Sequence, residues 1–330
     1  MEGFVLFLVA IVSMGMAMSQ ENSSWNVSAM YVLGDSSVDC GANALFYPIF
    51  HLNLSLLPCN GSNSILLPYL LANKMGVPYA ESFYTQNGTI DGLLRGVNYG
   101  AAHATILTAS SLGHQSLNHQ LRQVFETVQL LQLQLGHESS SRFIKSSIFY
   151  LSFGKDDYID LFLRNFSGES CGDGILPLGC SPSSFFQWQA DDANGTMGCV
   201  EEINEVILKY NVLLEDSILR LNDELPDAHI VFCDIYQGLN KIVSFPHIFD
   251  IANVIAMIAG FEDAKNACCG LGLYGAEIGC ITSDMACNPV SSNVWWDLYN
   301  PTPRVNSLLA RHGRVKNFSP TFVVQLPSMI

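Results

Sequence analysis

Positive charge is scarce in this 330-residue chain: Lys and Arg number 15 against 30 Asp and Glu, giving a net charge of -15. That balance disfavours nucleic acid and anionic membrane surfaces, both of which attract cationic faces. No Cys-x-x-Cys pair occurs, and no Gly-Lys-Ser/Thr follows the glycines of 270–275, so no zinc, nucleotide or flavin motif stands out and no cofactor is expected. Internal repeats, blocks of like charge and low-complexity linkers are also missing, which favours one domain. Only one apolar run approaches membrane length, residues 4–18, and it falls short of the ~20 residues a spanning helix needs.

That run carries Glu2 but no Lys or Arg before it, and polar residues follow it. Ala17 and Ser19 are small residues placed for cleavage after Ser19. Residues 1–19 therefore read as a signal peptide, leaving 20–330 as a single domain with no integral membrane segment. Eight N-x-Ser/Thr sequons, at Asn22, Asn26, Asn53, Asn60, Asn87, Asn165, Asn194 and Asn317, fit a secreted glycoprotein. Ten cysteines fit an oxidising compartment with disulfides. Cys268, Cys269, Cys280 and Cys287 cluster in a Gly-rich loop, where disulfides and a zinc site are the alternatives.

With 49% hydrophobic residues the chain can bury a sizeable core. Apolar runs predict strands at 30–33, from 97 onward, at 147–152 and at 229–234. Between them, helices are expected at 64–75, with Pro68 in the first turn, at 114–135 and at about 201–225. In the second of these, Leu117, Leu121, Val124, Phe125, Val128, Leu131 and Leu135 are expected to form the buried stripe. In the third, the stripe is Ile203, Val206, Ile207, Tyr210, Leu214, Ile218 and Leu221. Strands alternating with helices predict a parallel sheet covered on both faces. The first strand runs into Gly34-Asp35-Ser36. A serine on such a strand-to-helix turn stands at the sheet's carboxyl rim, where open α/β sheets bind ligands.

Several blocks then resemble the plant-type secreted GDSL esterase/lipase family of the SGNH hydrolases. They are Gly34-Asp35-Ser36 with Asp39 and Asn43, Gly96 to Ala104, Phe149 to Tyr158, Ile175 to Cys180, Ala267 to Gly275, and Trp295 to Thr302. The resemblance implies a three-layer α/β/α fold and hydrolysis of carboxylic esters through an acyl-serine. The substrate would be a small ester, a lipid or an acylated carbohydrate. Ser36 corresponds to the nucleophile and Asp297 to the acid that orients the base. Ser36, the Ala102-His103 turn and Asp156 correspond to the oxyanion region. Two positions depart from the pattern: Asn300 stands where the family has its His, and Asp156 where it has an Asn. An amide has no basic nitrogen, and an ionised carboxylate opposes a developing oxyanion. Three readings are therefore open: a secreted ester hydrolase working through Ser36, a catalytically silent glycoprotein binding a lipid or carbohydrate, and a shortened isoform without function. Segment 159–174 also reads as too short for the helix and strand that the family carries there.

Overall fold

The computed structural model describes residues 27–40, 66–106, 115–159, 175–188, 198–226, 229–232, 234–247, 260–280, 283–312 and 322–325. The elements in chain order begin with strand β1 (Met30–Gly34), helix α1 (Leu67–Met75), β2 (Glu81–Ser82), α2 (Ile90–Leu94) and β3 (Val97–Asn98). Next come α3 (Leu117–Leu135), α4 (His137–Lys145), β4 (Ile148–Ser152), the short α5 (Lys155–Tyr158), α6 (Pro182–Trp188), α7 (Glu201–Glu224), β5 (His229–Ile230) and α8 (Ile235–Ser244). Strands β6 (Asp263–Ala267), β7 (Gly270–Leu271), β8 (Ile278–Gly279) and β9 (Asn293–Trp295), helix α9 (Pro303–His312) and β10 (Phe322–Gln325) complete them.

The main sheet has the order β2-β3-β1-β4-β10-β5. β1 lies parallel to β3 and β4, with Gly34 opposite Ser152. Alternation along β1 shows the three layers. Tyr31 and Leu33 pack with Leu131 of α3, whereas Met30 and Val32 pack with Ala72 of α1. Side chains two apart share a sheet face, so α1 and α3 cover opposite faces, giving the α/β/α fold. A third cluster joins α7, α8 and α9 through Ile207, Leu239 and Leu308 around Trp295.

β10 departs from the expected parallel order. It runs antiparallel to both β4 and β5 and occupies the place between them. Residues 160–174, where a family strand and helix were expected to be missing, lie outside the described residues. The place beside β4 is thus filled by a strand from the far end of the chain. This satisfies backbone groups that an interior gap would leave unpaired.

The predicted stripes of the two long helices need correction. Leu121 and Phe125 of α3 are exposed, as are Val206 and Leu221 of α7. The inward faces instead carry Gln120, Gln123 and Thr127 on α3, and Asn204 and Asn211 on α7. Gln123 and Thr127 meet the hydroxyls of Tyr84 and Tyr99, and the other three amides bond buried backbone. Gln120 accepts from the Gly34 N–H at 2.9 Å and donates to its carbonyl at 2.8 Å. Asn211 makes the same two-way contact with Ile175, and Asn204 accepts from the Gly179 N–H. Hydrophobic periodicity misses such positions, because the buried surface there is peptide group, which needs a polar partner. The strands predicted from 97 and over 229–234 are also shorter than expected, ending at Asn98 and Ile230.

In the Gly-rich loop, Cys268 pairs with Cys287 and Cys269 with Cys280, and a further disulfide joins Cys180 to Cys199. Disulfides therefore occupy the four clustered cysteines. Among the described residues no group of His, Cys, Asp and Glu is placed to hold a metal ion. None of the described helices is long and apolar enough to cross a membrane.

Candidate active site

Two adjacent turns build the site. β1 ends at Gly34, whose close approach to the neighbouring strand leaves no room for a Cβ, which would collide with the Ser152 carbonyl. Ser36 follows on the turn. β4 ends at Ser152, and Gly154 in the left-handed region (φ 102°) reverses the chain into α5, which carries Lys155 and Asp156. Because Gly34 and Ser152 are register partners, Ser36, Lys155 and Asp156 meet at the same rim of the sheet.

Asp35 locks the two turns together. Fully buried, it accepts from the N–H groups of Ser37 at 2.8 Å and Asp156 at 3.2 Å. Burial, and next the neighbouring Asp156 charge, push its carboxyl up to about 7, against the opposing pull of Lys155.

The Ser36 hydroxyl donates to Asp156 Oδ1 at 2.6 Å and accepts from Lys155 Nζ at 2.7 Å. The other Asp156 oxygen, Oδ2, accepts from the Ser36 N–H at 2.9 Å and the His103 N–H at 2.8 Å. Two backbone N–H groups thus converge beside the hydroxyl, a cradle of the kind that can hold an oxyanion. Here a carboxylate oxygen of the protein itself sits in it. His103 reaches that position with a φ of 60°, a left-handed backbone that a non-glycine residue adopts at a cost of roughly 1–2 kcal/mol. Of the two turn residues expected near the cradle, His103 contributes its N–H. The Ala102 N–H instead donates to Asp39 at 3.1 Å.

The last block closes the site from the other side. Asp297 Oδ1 accepts from the N–H groups of Tyr299 and Asn300, and Oδ2 accepts from Asn300 Nδ2 at 2.9 Å. Asn300 then turns its carbonyl outward and accepts from Lys155 Nζ at 2.6 Å. Buried Trp295, anchored by its ring N–H to the Ala264 carbonyl at 3.1 Å, holds this segment against β6. A continuous chain of hydrogen bonds therefore runs from Asp297 through Asn300 and Lys155 to Ser36. Every described residue singled out for catalysis lies within this cluster. Lys155 and Asp35 were not singled out. The signal for Lys155 was a lone cation next to Asp156, in a block read only for its acids.

The class is an α/β/α fold with Ser36 and Asp297 at one rim of its sheet and two backbone N–H groups beside the Ser36 hydroxyl. Within that class the chain belongs to the GDSL-like lipase/acylhydrolase family, whose model matches residues 30–312. It is 27% identical over 356 residues to GDSL esterase/lipase At1g71250 of Arabidopsis thaliana, covering 94% of this chain and 91% of that one. It is 25% identical to GDSL esterase/lipase 7 of the same plant, covering 97% and 96%.

Proposed function

We propose that this chain is a secreted hydrolase of lipid or acyl esters that acts through Ser36, with turnover held low by Asp156. The observation that carries this reading is the position of Asp156 Oδ2, which accepts both cradle N–H groups beside the intact Ser36 hydroxyl. A substrate carbonyl enters the cradle only by displacing that oxygen. Secretion is supported by the apolar run of residues 4–18, the sequons and the three disulfides between described residues. Asn87 is exposed, and its side-chain oxygen accepts from the Thr89 hydroxyl at 2.8 Å, which suits a glycan acceptor. The remaining sequon asparagines lie outside the described residues.

A second reading, a silent glycoprotein that binds a lipid or carbohydrate, is favoured by Asn300 at the place of the family's base. Labelling by a fluorophosphonate probe separates the two. The hydrolase reading expects slow labelling of the wild-type protein that disappears in Ser36→Ala. Folded wild-type protein that labels no faster than Ser36→Ala supports the silent reading.

A further inference from the structure

Resting on that hydrolase reading, we infer that Lys155 is the proton-transfer residue of this site, replacing the imidazole that Asn300 cannot supply. The geometry is direct. Lys155 Nζ lies 2.7 Å from the Ser36 oxygen, within reach of the proton to be removed once the hydroxyl turns away from Asp156 Oδ1. It lies 2.6 Å from Asn300 Oδ1, whose amide nitrogen is in turn tied to Asp297. Asn300 thus keeps an orienting role: its carbonyl fixes the Lys155 head group, and Asp297 fixes the orientation of the amide. The order orienter, base, nucleophile is preserved, with one extra residue in the relay. Lys155 is only 5% exposed, so its head group is held inside the site rather than in bulk water.

The step balances without a cofactor. Neutral Nζ takes the Ser36 hydroxyl proton as the serine oxygen bonds to the ester carbon, and the carbonyl electron pair moves onto its oxygen. Collapse breaks the bond to the leaving oxygen, which departs as the alcohol with the proton from Nζ. Water then attacks the acyl-serine and gives a proton to Nζ. The acyl–serine bond breaks, the carboxylic acid leaves, and the serine oxygen recovers its proton from Nζ.

Three acidic residues surround the head group. Asp156 on its own helix lies at 3.8 Å, Asp35 at the end of β1 interacts with it electrostatically, and Asp297 reaches it through Asn300. Of these, Asp156 lies nearest the ammonium group and also fills the cradle. Removing that one charge exposes both parts of the mechanism at once.

The test therefore uses Asp156→Asn as background, and measures fluorophosphonate labelling and p-nitrophenyl acetate hydrolysis against pH. Circular dichroism monitors folding. In D156N, Ser36-dependent labelling is expected to rise with pH along a single-deprotonation limb. Adding Lys155→Met is expected to lower the rate about 10²–10⁴-fold and abolish that limb. Adding Lys155→Arg, which keeps the charge but cannot shed its proton, is expected to do the same. The double variant D156N/K155M exchanges a buried ion pair for neutral groups, a change that folds generally tolerate. Where it does not fold, Lys155→Gln replaces it. If D156N/K155M retains the rate and the limb of D156N, Lys155 is not the base, although the hydrolase reading stands. If D156N itself shows no Ser36-dependent labelling, the hydrolase reading falls and the inference falls with it.

Discussion

Replacing Asp156 by Asn is the perturbation whose size follows most directly from the geometry. In the wild-type protein a substrate carbonyl must displace a carboxylate held by two backbone N–H groups at 2.9 and 2.8 Å and by the Ser36 hydroxyl at 2.6 Å. Hydrogen bonds to a charged acceptor contribute about 1.5–3 kcal/mol each, against about 0.5–1.5 for a neutral one. For the two backbone bonds the substitution therefore makes the oxygen about 2–3 kcal/mol easier to displace, roughly a hundredfold. The amide also supplies an N–H donor at a position where one such donor is typically worth 10²–10³ in rate. Charge repulsion with the developing oxyanion vanishes as well. We expect D156N to accelerate Ser36-dependent acylation by at least about 10²-fold, and by about 10⁴–10⁵ if both effects are realised. A buried lysine loses its nearest carboxylate, so the melting temperature should fall, and labelling must be compared well below it. The assay is the second-order rate of fluorophosphonate labelling, corrected with the S36A/D156N double variant. A folded D156N protein that labels no faster than wild type would refute the reasoning, because the carboxylate would then not be what closes the cradle.

Other consequences are equally specific. Asn300→His alone should restore little activity, since the Lys155 head group already lies between residue 300 and the Ser36 oxygen; p-nitrophenyl acetate turnover in N300H matching that of D156N would contradict this. Asp35 is held at about 7 in the folded protein against 3.8 ordinarily, so between those values the native state keeps a proton that the unfolded chain has lost. Its contribution is present below about pH 4, declines toward about pH 7 and then levels off; thermal melts should show this decline, and Asp35→Asn should flatten it. Gln120→Leu removes the amide that accepts from the buried Gly34 N–H, while the Gly34 carbonyl keeps the Ala101 N–H, so urea unfolding should report a loss of about 1–3 kcal/mol. Deleting residues 318–330 removes β10 and opens facing edges on β4 and β5; the shortened protein should aggregate on expression, as judged by size-exclusion chromatography.

Much of the fold was legible because its main signals are periodic or block-like. β1 and β4 appear as apolar runs, α3 and α7 as helical patterns, and Gly34 and Gly154 mark where the two rim turns begin. The limits of periodicity show at Gln120 and Asn211. A helix that packs over peptide groups needs amides there, so its true inward face looks polar in sequence. Residues with chemistry attached, Ser36, Asp156, Asp297 and Asn300, could be placed by their motif blocks. Lys155 could not, because its importance comes from spatial coincidence: a strand exit 119 positions earlier and a loop 145 positions later converge on one ammonium group. The place of β10 was equally hidden. Four residues carry no topological label, and an antiparallel strand inserted into a parallel sheet breaks the rule by which the others were placed.

The position of β10 also bears on how the molecule is made. The strand wedged between β4 and β5 leaves the ribosome long after both of its neighbours. Until it arrives, a nascent chain already holding most of its hydrophobic layers exposes two sticky borders in the middle of its largest sheet. Closure of this sheet is consequently a late step that joins distant parts of the chain, and pairing over such separations is intrinsically slow.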